Sequence, residues 1–174
     1  IVSDIKRIAE IAHEHKIPLI VDEAHGAHFH FSEYFPVSAA ELGADLVIHS
    51  LHKTLPSMTQ TSLLHLCSDR VSRELLTRFL GIYQTSSPSY VLKASMDACL
   101  YKLREDGEKM FLEYTGNLER ARERLSKCRY IRLENTMTDP SLGIFDVDRS
   151  KLILSTVHST LNGRQLTEIL RSEF

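Results

Sequence analysis

Apolar positions set two rhythms along the first eighty residues. Ile5, Ile8, Ala9 and Ala12 recur three and four apart, which places them on one stripe of a helix. Ser3 stands where it can cap that helix, with Asp4 in the first turn, a suitable place for a carboxylate. The pattern fades near His15, and Pro18 follows. Ile17 to Val21 is then an unbroken apolar run, which predicts a buried strand ending at Asp22. Gly26 to Pro36 predicts loop and Val37 to Leu42 a short helix. Asp45 to His49 predicts a second strand, Ser50 to Gln60 a polar loop, and Thr61 to Leu66 a third strand. Asp69 is placed to cap a helix reaching about Leu80.

Beyond Pro88 the helical period dominates. Leu92, Met96, Cys99, Leu100 and Leu103 make one apolar face, and Phe111, Tyr114, Leu118, Ala121 and Leu125 extend it past Gly107. Core or dimer packing is the simplest use of such a stripe. Asn135 to Pro140 reads as a turn, Lys151 to Val157 as a strand, and Gln165 to Phe174 as a last helix after Asn162-Gly163. Helix, strand, helix, strand predicts an α/β fold, a mostly parallel sheet flanked by helices, followed by helices and the start of a small α/β domain. The boundary is expected near residue 105, with 1–105 in the larger domain and 106–174 opening the smaller. Ile1 leads straight into a helix and Phe174 ends inside one, so the expectation is an internal piece of a longer protein.

Composition narrows the function classes. With 21 basic and 23 acidic residues the net charge is -2, which predicts no field for nucleic acid or an anionic membrane surface. The absence of a signal peptide pattern or a long apolar run predicts a cytoplasmic protein. Cys67, Cys99 and Cys128 are odd in number and widely spaced, which fits a reducing compartment better than a disulfide framework.

In sheets of this kind ligands bind off the carboxyl ends of strands. Asp22 and the Ser50–Lys53 segment both fall at such ends. A carboxylate and a lysine in that relation suit pyridoxal 5′-phosphate. The lysine amine forms a Schiff base with the aldehyde. The carboxylate keeps the pyridine nitrogen protonated, so the ring can accept electrons from Cα. Ser50 and His52 flank the lysine and can donate to a phosphate. Ala24 is small enough for a flat ring, and His25 can reach the ring hydroxyl or stack on it. Singly these are weak signals: an aspartate after a strand is usually a turn residue, and a lysine in a polar loop is usually solvated.

The runs Val21-Asp22-Glu23-Ala24-His25-Gly26-Ala27-His28-Phe29 and Ser50-Leu51-His52-Lys53-Thr54-Leu55-Pro56-Ser57-Met58-Thr59-Gln60, with Tyr83-Gln84-Thr85-Ser86-Ser87-Pro88-Ser89-Tyr90, resemble the cofactor site of the Orn/Lys/Arg decarboxylases. Lys151-Leu152-Ile153-Leu154-Ser155-Thr156 with Asn162-Gly163 is similar to a later part of that family. The resemblance implies the aspartate aminotransferase-like architecture (fold type I). It implies Lys53 as Schiff-base lysine, Asp22 on the pyridine nitrogen, Ser50 and His52 on the phosphate, and His25 near the ring. Thr85 and Ser86 would reach a partner's phosphate across a homodimer or higher homo-oligomer. The implied reaction is α-decarboxylation of arginine, ornithine or lysine to an amine that feeds polyamine metabolism. The family's earlier phosphate-binding turn and stacking ring are missing from this chain, which leaves half a site.

Other readings use the same residues. An aminotransferase or oxoamine synthase needs the same aspartate and lysine. Asp22-Glu23-Ala24-His25 also spells a helicase box, which needs a phosphate loop upstream. His25, His28 and His30 with Asp22 could bind a transition metal, although in an extended segment His25 faces away from the other two; the expectation is no metal. A non-catalytic α/β interaction domain would carry the motif unused.

Overall fold

A computed structural model of the chain describes residues 1–134 and 140–173. The first helix, α1, spans Ile5–Glu14 and is capped by Asp4, whose side chain accepts from the Arg7 N–H. Asp4 thus takes the place expected of Ser3. The chain turns at Lys16, which has positive φ, and enters β1, Ile20–Asp22. The 23–45 connection contains one 3-10 turn at Phe29–Phe31. The helix expected over Val37 to Leu42 is a series of turns, because Glu23 accepts from Ser38 Oγ and the Ala39 N–H and draws the segment inward.

β2, Leu46–Ser50, runs parallel to β1 with Asp22 opposite Ile48. It passes directly into α2, the single turn Leu51–Thr54, where loop was expected. β3, Ser62–Leu66, pairs antiparallel with β2. The sheet is therefore mixed, order β1-β2-β3, which corrects the mostly parallel expectation while keeping the α/β class. The reason is length: the link from β2 to β3 holds one helical turn, and a parallel return needs a crossover of about a dozen residues or more. β1 is also less covered than a buried strand, with Ile20 59% exposed.

α3, Arg73–Tyr83, is capped by Ser72 in place of Asp69. α4 is one unbroken helix, Tyr90–Ser126, capped by Ser89. Its residues Cys99, Leu103, Phe111 and Leu118 close the main core over Ala27, Phe29, Phe35, Leu51 and Leu55. A smaller core of Ala39, Ala44 and Val47 lies with Ile5, Leu19 and Val21. The strand expected over Lys151 to Val157 shrinks to β5, Leu154–Ser155, paired antiparallel with β4, Arg132–Leu133. The last helix, α5, is Gly163–Glu173. The turn expected at Asn135 to Pro140 lies outside the described residues, apart from Pro140.

Candidate functional site

β1 and β2 end side by side, and their exits are tied by a hydrogen bond from the Ser50 N–H to the Ala24 carbonyl, 3.3 Å. Asp22 is exposed, and its carboxylate accepts from the Ala24 N–H at 3.0 Å. The turn behind it requires glycine at position 26. A Cβ there would stand 2.5 Å from Glu23 Cγ and 2.8 Å from the Phe29 ring, contacts no side chain tolerates without movement. Glu23 itself faces inward and accepts from His49 Nε2 at 2.7 Å.

α2 lifts Lys53 out of the sheet to an exposed position. Asp22, Ala24, His25 and Lys53 line one cavity of about 420 Å³, within the roughly 300–1,000 Å³ span of small-molecule sites. Lys53 also lines a second cavity of about 310 Å³ with His28, Thr54 and Tyr114. A larger cavity of about 880 Å³, between the end of α4 and residues around β4 and Asp148, holds neither Asp22 nor Lys53.

Four of the eight expected site residues thus meet, and four stand apart. Ser50 and His52 do not line the cavity. Ser50 is 9% exposed, and His52 donates from Nδ1 to the Thr61 carbonyl at 2.9 Å. That bond fixes the ring and leaves Nε2 for other use. Thr85 and Ser86 are exposed in the α3–α4 connection, where Thr85 Oγ1 accepts from the Ser87 N–H. The three neighbouring histidines go separate ways. His25 is exposed at the cavity, His28 is buried against Asp148, and His30 pairs with Glu41. Among the described residues no group of three or more His, Cys, Asp or Glu could hold a metal ion.

Sequence reasoning missed Asp148 and Lys151, which line the 420 Å³ cavity from the far end of the chain. The Asp148-x-Ser150 spacing marks a side-chain-capped turn, and Ser150 does donate to Asp148 from both N–H and Oγ. Nothing in that signal places the turn beside Lys53.

An accessible carboxylate and a primary amine on one cavity, beside a side chain no larger than alanine, are a donor set that fits pyridoxal phosphate. The model of the Orn/Lys/Arg decarboxylase major domain matches residues 1–149.

The chain belongs to the Orn/Lys/Arg decarboxylase family.

Its relatives in that family include arginine decarboxylase of Bacillus subtilis, 34% identical over all of this chain and 36% of the relative. Arginine decarboxylase of Halalkalibacterium halodurans is 33% identical over all of this chain and 35% of the relative. A pyridoxal phosphate-dependent protein of Methanothermobacter thermautotrophicus is 43% identical over 53 residues, 30% of this chain and 14% of that protein. The chain therefore spans little more than a third of the length of these two decarboxylases.

Proposed function

We propose that the parent of this family member decarboxylates a basic amino acid with pyridoxal 5′-phosphate, and that this chain supplies Lys53 and Asp22 to the cofactor. The observation that carries the reading is their shared cavity at two adjoining strand ends. Two relatives named arginine decarboxylase favour arginine over ornithine or lysine, and the relative named pyridoxal phosphate-dependent supports the cofactor.

When bound, the cofactor supplies an electron sink for the bond that breaks at Cα. The protein's part is positioning and proton control. Lys53 would supply the amine that holds the cofactor's aldehyde. Asp22 would hold a proton at the ring nitrogen, and the Ala24 N–H fixes its carboxylate. Ala24 would leave room for the ring, with exposed His25 lining the same cavity. The family resemblance assigns the phosphate to Ser50 and His52, which stand back from the cavity, while Thr85 and Ser86, exposed here, would meet the phosphate of a second subunit in a homodimer or higher homo-oligomer. We place the parent in the cytoplasm. Among the described residues no helix is long and apolar enough to cross a membrane, and all three cysteines are free.

The test is the full-length parent incubated with pyridoxal phosphate and arginine, ornithine or lysine. Carbon dioxide release with formation of the amine, together with an absorbance band that vanishes in Lys53→Ala, is expected. Transfer of the amino group without carbon dioxide would move the parent to the aminotransferases, and no Lys53-dependent band would mark an idle α/β scaffold.

A further inference from the structure

The turn from Asp148 to Lys151 is anchored far more firmly than a connecting loop requires. The Asp148 carboxylate accepts from the Ser150 N–H at 2.9 Å, from Ser150 Oγ at 2.8 Å and from His28 Nε2 at 3.4 Å. His28 is 2% exposed and stands edge-on to Phe29 and Phe35, with centroids 4.9 and 4.6 Å away. Burial would push the Asp148 carboxyl up, but the bonds from His28 and Ser150 outweigh it and hold the group well below the usual carboxylate range. From the other side, Arg122 of α4 donates to the carbonyls of Arg149 and Lys151 at 2.6 and 3.1 Å. Arg149 pairs with Glu119 at 3.1 Å and lies over the Tyr34 ring at 4.4 Å.

The product of this anchoring is the position of Lys151. It lines the 420 Å³ and the 310 Å³ cavities, and so does Lys53. Its ammonium is 3.5 Å from Asp148 Oδ2, and its side chain is 50% exposed. Once Lys53 is committed to a carbon–nitrogen bond, Lys151 is the remaining Lys or Arg lining either cavity among the described residues. His28 and Thr54 each keep one buried polar atom without a partner at the same place.

We propose that Lys151 is an anion-binding residue of the Lys53 site, with Asp148 and His28 as the positioning residues that hold it there. The inference rests on the reading of Lys53 given above. The anion is an oxyanion, and two sources carry one: the carboxylate of an amino-acid substrate and the phosphate of the cofactor.

The experiment uses the full-length parent as wild type, Lys151→Met, Lys151→Arg, Asp148→Asn and Lys53→Ala. Pyridoxal phosphate binding is read from the Lys53-dependent band. Binding of arginine and of arginine methyl ester is read from the change in that band. Lys151→Met is expected to weaken one partner by about tenfold or more, with melting temperature unchanged because the side chain is half exposed. Weaker arginine with unchanged ester assigns the carboxylate, and weaker pyridoxal phosphate assigns the phosphate. Lys151→Arg should restore most of the loss, and Asp148→Asn should show the same pattern to a lesser degree. Wild-type binding of all three ligands by Lys151→Met, or equal loss for arginine and its ester with no change for pyridoxal phosphate, overturns the proposal. A band that survives in Lys53→Ala overturns the underlying reading instead, so the two failures are told apart.

Discussion

Asp45 and Asp22 stand at opposite ends of one short sheet and live in opposite circumstances. Asp45 precedes β2 and is fully buried. Its oxygens accept from His13 Nε2 at 2.8 Å, from the Leu19 N–H at 2.7 Å and from Ser68 Oγ. It thereby joins α1, the entry of β1 and the exit of β3, and no ligand can reach it. Asp22 follows β1, is exposed, and spends one bond on the Ala24 N–H while facing a cavity. A carboxylate buried under three hydrogen bonds is structural, because both of its oxygens already serve the fold. A carboxylate with lone pairs to spare, at a strand's carboxyl end and sharing a cavity with a lysine, is available for chemistry.

The contrast can be broken most decisively at Lys53. Lys53→Ala in the full-length parent should lower arginine decarboxylation by at least about a thousandfold, with the thermal transition unmoved. Carbon dioxide release and calorimetry give the two numbers, and a retained activity would remove the chemical end of the comparison. Asp45→Ala should do the reverse and cost about 3 kcal/mol in a urea titration, since the Leu19 N–H loses its partner inside the protein. Activity per folded molecule should stay near wild type.

Asp22→Asn should reduce turnover by roughly a hundredfold, the size of a two-unit loss in the ring nitrogen's proton affinity. Stability should shift by no more than about 0.5 kcal/mol, as expected for an exposed site. A large stability loss there would mean Asp22 belongs with Asp45. The smallest effect is acid sensitivity. Burial raises the Asp45 carboxyl, but the bonds from Ser68, Leu19 and His13 prevail and leave it below its ordinary value. A group depressed in the folded state stabilises the fold above its unfolded pKa of about 3.9, and that contribution drains away as pH falls through the folded value. The stability gap between wild type and Asp45→Asn should therefore be flat above about pH 5 and narrow below about pH 4.

Much of this arrangement was legible in residue order. The stripe Ile5, Ile8, Ala9, Ala12 located α1, and the apolar runs located β1, β2 and β3 to within a few residues. The same runs put Asp22 at the end of β1 and Lys53 just past β2, where the structure has them. What could not be read depended on partners distant in sequence. The direction of β3 followed from the brevity of the link after Lys53, which the polar run Ser50 to Gln60 disguised as open loop. The Val37–Leu42 segment had the composition of a helix, yet Glu23 captured Ser38 and Ala39 and bent it into turns. Asp148 looked like an ordinary turn residue, because its pairing with His28 joins positions 120 apart in sequence, and no local period records such a contact.

α4 gives the molecule its ruler. With 37 residues at 1.5 Å each it is about 55 Å long. Near its start Ser95 Oγ accepts from the Met58 N–H, at the far side of the lysine loop, and near its end Arg122 grips the two carbonyls of the Arg149–Lys151 turn. The segment that follows Lys53 and the turn that carries Lys151 are both hung from one rigid rod, so their spacing and angular phase are set together. Inserting a single residue between Ser95 and Arg122 would swing one grip about 100° around the axis, and one wall of the site would come loose with every side chain of the site still present.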